Sequence, residues 1–286
     1  MVRCVWLLFI LMMNVAQAKV MIWQPLNEDK SLSYPAIQAR LTSIKQQGFD
    51  TLLVQWSQFG YERFQIYGTP EIWLQRLVRA TVEADMKLIF GLYHDPEFFV
   101  HIQKEGKERQ DLLALIRKRS LDLATNDYRY ITQLPNFAGW YLPEEIDDMH
   151  WNTPLGRQTL SDHLKETVQS LKAITPNAPV FTSAFFSGHL PPKEYALWLA
   201  QLEAQTQLRI LVQTGHGVGR LTLQEIKAYL DELFLPKPKI HGLVLETFQF
   251  SKGNVSVMSK SPWQQQLKLV TPYSPNLKVT FSQRYQ

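Results

Sequence analysis

Eight short apolar runs recur along the chain, each but the last followed by a stretch with helical spacing of apolar residues, and this alternation constrains the fold more than any other feature. The runs are Val20–Leu26, Thr51–Trp56, Lys87–Tyr93, Phe137–Leu142, Ala178–Phe186, Leu208–Thr214, Ile240–Phe248 and Leu277–Phe281. Between them the spacing predicts helices over Tyr34–Gln47, from about Pro70 through Ala84, and over Glu108–Gln133, Leu155–Ile174, Pro192–Ala204, Leu223–Phe234 and, more weakly, Pro262–Val270. Strands that are apolar nearly throughout belong to parallel sheets covered on both faces. Eight strands alternating with helices in about 250 residues match a (β/α)8 TIM barrel. A doubly wound open sheet is the competing α/β arrangement, and the strand count ranks it second. Only Ser282–Gln286 follow the last run, so the eighth helix is expected to be missing or rudimentary. No linker rich in Pro, Gly or Ser and no internal repeat divides the chain, so 19–286 is expected to be one domain.

The first residues, Met1–Ala18, read differently. Arg3 supplies a positive start, Val5–Met13 an apolar stretch too short to span a bilayer comfortably, and Ala16-Gln17-Ala18 a small-residue cleavage site. This is the pattern of a cleavable export signal. Cys4 precedes the apolar stretch, where a lipid-anchored cysteine would follow it. Cleavage after Ala18 would leave 268 of the 286 residues and remove the only cysteine, which suits a periplasmic or secreted location. No later stretch reaches about 18 apolar residues, so no integral membrane segment is expected after cleavage. The net charge of +4 is spread along the chain without a dense basic block, which disfavours a nucleic-acid partner. One cysteine excludes a disulfide framework and a thiolate zinc site.

In a TIM barrel the chemistry sits at the C-terminal ends of the strands. Those ends carry Trp23, Gln24, Gln55, Trp56, Tyr93, His94, Tyr141, Gln213 and Phe248 as candidate sugar contacts, with Glu144, Glu145 and Glu246 as carboxylates. Two carboxylates across a bond, with amides and rings to hold the substrate, form the set that glycoside hydrolysis needs. Each residue also has a plainer reading. Glu246 could end its strand in water or in an ion pair, adjacent acids such as Glu144 and Glu145 often mark an exposed loop, and strand-end rings such as Phe185 and Phe186 can pack barrel layers. Neighbours on a strand point to opposite sides, so at most one of Glu144 and Glu145 should face the axis. Trp23, Gln55, Trp56, Tyr93, Tyr141 and Gln213 are expected to line one mouth; if half of them face elsewhere, the binding argument loses that surface.

The runs FAGWYLPEEIDD (Phe137–Asp148), LVLETFQF (Leu243–Phe250) and ILVQTGHGVG (Ile210–Gly219) resemble the secreted bacterial family called domain of unknown function 4434. That family is similar to the clan of retaining glycoside hydrolases built on TIM barrels, with an acid/base Glu ending strand four and a nucleophilic Glu ending strand seven. The resemblance implies a carbohydrate partner, Glu145 as acid/base and Glu246 as nucleophile. Their carboxyl groups would then lie about 5–5.5 Å apart, with Glu145 protonated and Glu246 kept ionised by a donor such as Gln213. Two departures stand out: Glu144 occupies the place where the clan usually has Asn, and the frequent Trp of strand eight is absent, leaving Phe281 and Tyr285. No metal and no cofactor is expected. His94, Asp95 and His216 lack ligand spacing, and Gly215–Gly219 lacks the G-x-G-x-x-G spacing and reads as a turn. No Gly-x-Ser-x-Gly elbow is present. The leading expectation is a retaining glycosidase acting on an oligosaccharide or polysaccharide outside the cytoplasm. The alternatives are a non-catalytic carbohydrate-binding barrel of an exopolysaccharide or envelope system, and a structural envelope protein with no sugar ligand.

Overall fold

The computed structural model describes residues 19–66, 68, 71–251 and 253–285. The export signal at 1–18 and the helix-starting role of Pro70 fall outside them. Eight parallel strands close into a barrel: β1 (Lys19–Trp23), β2 (Thr51–Val54), β3 (Lys87–Gly91), β4 (Phe137–Asp147), β5 (Val180–Phe185), β6 (Arg209–Gln213), β7 (Gly242–Glu246) and β8 (Leu277–Phe281). They follow one another in sequence order around the wall, and β8 pairs with β1 to close it. The TIM barrel is therefore the fold, and the open sheet is excluded.

Among the described residues seven helices of eleven residues or more pack around the wall: α1 (Tyr34–Gln46), α2 (Trp73–Glu83), α3 (Gly106–Asp122), α4 (Pro154–Ile174), α5 (Pro192–Thr206), α6 (Leu223–Phe234) and α7 (Lys260–Val270). Local chemistry sets several starts. Ser33 and Thr153 cap α1 and α4 with a Pro in the first turn, and Thr222 and Glu225 form a reciprocal capping box on α6. The long helical stretch expected to reach Gln133 is α3 followed by a π-helical turn at Leu123–Asp127 and a 3-10 turn at Arg129–Gln133. Among the described residues β8 is followed by the 3-10 turn Gln283–Tyr285, in the place of an eighth helix.

Alternation along the strands divides the core in two. Val20, Ile22, Leu53, Ile89, Tyr141, Phe181, Leu211, Val244, Leu277 and Val279 form one buried cluster, which fills the barrel. Met21, Trp23, Leu52, Val54, Phe90, Trp140, Leu142 and Leu243 join the helices in the other cluster. The same two-residue period carried upward places Gln24, Gln55, Phe185, Gln213, Glu246 and Phe281 on the inward face at the strand ends.

Strand β4 breaks this regularity where it matters. Leu142 pairs with Thr182 and Ile146 with Ala184, so three residues, Pro143 to Glu145, stand opposite the single residue Ser183. Pro143 has no N–H to give the ladder, and bulges collect next to sites where a side chain must be re-aimed. The Thr182 hydroxyl lies 3.1 Å from the Leu142 carbonyl and 2.8 Å from that of Glu144, bracing the arch.

Candidate functional site

A cavity of about 610 Å³ opens at the C-terminal end of the barrel. Glu145 and Glu246 both line it, together with Gln24, Gln55, Trp56, His94, Gln213 and Phe248. Thus six of the nine expected sugar contacts and both expected carboxylates meet there. The other three do not. Trp23 is fully buried outside the barrel, its Nε1 3.4 Å from the Asp29 carboxylate and its ring 5.8 Å from that of Trp73. Tyr93 turns to the outer helices, where its hydroxyl meets Arg119 and the guanidinium sits 4.8 Å above its ring. Tyr141 is inward but belongs to the filled barrel, its hydroxyl 2.9 Å from Ser183 Oγ. Half of the six-residue mouth read from sequence is therefore lost. Beside the expected Trp56 and Phe248, the phenyl rings of Phe99, Phe185, Phe186 and Phe281 line the cavity.

The bulge separates the two adjacent acids. Glu145 faces the cavity, where its Oε1 accepts a hydrogen bond from the Gln213 amide at 2.9 Å. Glu144 faces outward, 3% exposed, with Oε1 3.3 Å from His163 Nε2 on α4. It cannot touch a ligand in the cavity, so no sugar contact comes from the position before Glu145.

Glu246 ends β7 and is 1% exposed. Its carboxylate accepts hydrogen bonds from the Thr214 hydroxyl and, at 2.7 Å, from the Gly215 N–H; the Gly217 amide adds to them. Its own backbone is held by Gln266 of α7, which accepts from the Glu246 N–H at 3.1 Å and donates to its carbonyl at 2.8 Å. A Cβ at Gly217 would lie 2.4 Å from the Phe248 carbonyl oxygen, so only glycine lets this loop close over Glu246. Gln213 serves Glu145 rather than Glu246, which corrects the donor expected from sequence.

Burial pushes both carboxyls above the usual carboxylate range. They differ in what opposes that push. Glu145 has one side-chain donor, Gln213, and the charge of Asp147 nearby raises it further. Glu246 has the Thr214 hydroxyl and several main-chain amides, all favouring the charged form. Burial also keeps His94 below the usual imidazole range, and its ring stacks on Trp56 at 5.0 Å. Gln55, 6% exposed, presents an Oε1 with no hydrogen-bond partner. Such an acceptor at a cavity wall is costly unless a ligand hydroxyl or water meets it.

Sequence reading missed Asp147, His150, Thr214 and Phe99, all of which lie in or beside this cavity. The acids of Glu-Ile-Asp-Asp were the available signal. Asp147 holds His150, and Asp148, fully buried, accepts from Ser187 N and Oγ, His189 N and Leu190 N at 2.6–3.1 Å. Asp148 thereby ties the turn after β4 to the loop after β5. Asp148→Ala should destabilise the protein by about 3–5 kcal/mol by leaving those donors unpaired, measured as a lower denaturant midpoint. An unchanged midpoint would mean that water replaces the carboxylate.

Among the described residues no group of three His, Cys, Asp or Glu side chains converges as a metal site. No described helix is long and apolar enough to cross a membrane.

The model of the family described as domain of unknown function 4434 matches residues 20–282. The chain belongs to that family. An uncharacterised Escherichia coli K12 protein, YbcH, is 32% identical over 276 residues, spanning 93% of this chain and 90% of its own. Among solved structures, a protein provisionally described as an α-L-fucosidase from Bacteroides thetaiotaomicron superposes with a TM-score of 0.72 at 15% identity, covering 93% of this chain and 85% of that one. An intracellular xylanase of Thermoanaerobacterium saccharolyticum gives 0.56 at 15% identity, covering 93% and 86%. These likenesses establish the TIM-barrel fold for this member of the 4434 family.

Proposed function

We propose that this protein is a retaining glycoside hydrolase, exported by its N-terminal signal and acting on an oligosaccharide or polysaccharide. The observation that carries the reading is the pair of carboxylates from β4 and β7 lining one cavity with unequal sets of hydrogen-bond donors. Glu145, with one donor and a neighbouring negative charge, is suited to hold a proton for the leaving oxygen. Glu246, with its array of donors, is suited to stay charged and attack the anomeric carbon. The displaced oxygen takes the Glu145 proton as the carbon–oxygen bond breaks. Glu145 then draws a proton from water, which attacks the glycosyl–Glu246 ester and releases the sugar and the Glu246 carboxylate. Around the pair, Gln24 and Gln55 offer amides that both donate and accept, and Trp56, Phe248 and Phe281 offer apolar faces.

The test is release of reducing ends from a panel of bacterial and plant polysaccharides, with the anomer of the first product followed by NMR. Retention supports the double displacement. Inversion would instead require carboxyl groups about 6.5–9.5 Å apart rather than about 5–5.5 Å. A second reading, binding without turnover, draws support from the 1% exposure of Glu246. Saturable glycan binding with no product at any pH would select it.

A further inference from the structure

The wall of the cavity on the Glu145 side has a composition of its own. Phe99, from the short helix Phe98–His101 in the loop after β3, stands with its ring centroid 5.9 Å from Phe185 and 6.0 Å from His150. Phe185 ends β5, and His150 lies in the turn after β4. All three line the cavity, and neither phenyl ring is fully buried.

The imidazole is fixed from behind. Asp147, 1% exposed, accepts the N–H groups of Met149 and His150 at 2.8 and 2.6 Å through one oxygen and approaches His150 Nδ1 at 2.7 Å through the other. A carboxylate so held is an acceptor, so Nδ1 carries a hydrogen and Nε2 is left free on the opposite side of the ring as a polar contact. Asp147 lies two residues beyond Glu145 on β4, which puts the pair beside the group that handles the leaving oxygen. Two phenyl faces and one fixed ring nitrogen match the C–H face of a pyranose and its hydroxyls, which both donate and accept.

We infer that Phe99, Phe185 and His150 form a subsite for a second sugar unit, on the leaving-group side of the bond, so that the substrate is a chain of sugars and not a sugar on a small non-sugar group. Asp147 is its positioning residue. The assignment of the side rests on the glycosidase reading of Glu145; the subsite itself rests on the rings and the imidazole.

The test is calorimetric titration of wild type, Phe99→Ala, His150→Ala, His150→Gln and Asp147→Asn. The probes are mono-, di- and trisaccharides of glucose, galactose, mannose, xylose and N-acetylglucosamine. In wild type a disaccharide of the accepted sugar should bind about tenfold or more tighter than its monosaccharide, the scale of one ring contact and one hydrogen bond. Phe99→Ala and His150→Ala should abolish that gain and leave monosaccharide affinity unchanged. His150→Gln should restore part of it, and Asp147→Asn should behave like His150→Ala; thermal unfolding checks that each variant is folded. Equal affinity for one and two units in wild type, or parallel losses for both in the variants, overturns the subsite. Length-dependent binding without cleavage upholds the subsite and removes only the hydrolase reading. No binding of any probe by wild type overturns both.

Discussion

Glu246→Gln is expected to lower turnover at least about 10⁴-fold while leaving glycan affinity within a few-fold of wild type. An amide cannot form the covalent glycosyl ester, so the loss falls on the chemical step. The fold should tolerate the change. The retained carbonyl oxygen can still accept from Gly215 N–H, and the Thr214 hydroxyl has Gln266 Oε1 at 3.0 Å as an alternative acceptor. Steady-state rates on a cleaved polysaccharide, paired with calorimetric binding, separate the two quantities. Turnover within tenfold of wild type would remove Glu246 from the nucleophile role.

Glu145→Gln should cost about 10²–10⁴-fold on a natural linkage, the range of general acid catalysis. It should cost much less in the first step on a substrate whose leaving group needs no proton. Wild-type activity should be bell-shaped in pH. The alkaline limb follows loss of the Glu145 proton, displaced upward by burial and by the charge of Asp147, and the acid limb follows protonation of Glu246. In the variant the alkaline limb should vanish. Stability should move in the opposite sense to activity. A carboxyl raised on folding binds its proton more tightly in the native state, so it costs nothing below the unfolded pKa. Its penalty grows as pH rises towards the native value and stays constant above it. Removing it should therefore raise the melting temperature at pH 7 and leave it unchanged near pH 3. A variant no more stable at pH 7 would show that the native Glu145 carboxyl is not displaced upward.

The barrel was legible because eight apolar runs punctuated by helical spacing admit few closed arrangements. Which face a strand-end residue takes was not legible. Barrel strands are apolar on both faces, so Val20-Met21-Ile22-Trp23 carries no alternation that tells inward from outward. Gln24 and Trp23 were equal candidates on paper; the pleat sends Gln24 to the cavity and Trp23 to Trp73. Tyr93 and Tyr141 fail for related reasons: one faces α3, the other fills the layer below. The two acids were found because Glu in an apolar run is conspicuous. Thr214, Phe99 and His150 were missed because their placement depends on loops that meet only after the barrel closes.

The arch at Pro143–Glu145 gives the two carboxylates unequal mechanical settings. Glu246 ends a strand registered with β8 and is clamped through its backbone by Gln266, a stiff mounting. Glu145 rides on an arch of three residues that stand opposite the single residue Ser183, where the Thr182 hydroxyl meets the main-chain carbonyls of Leu142 and Glu144. In the proposed reaction the nucleophile occupies one position throughout, whereas the acid/base group must reach first a departing oxygen and then an incoming water. The group with one errand thus has its main chain pinned by Gln266 on both sides, and the group with two stands on the unladdered arch of β4.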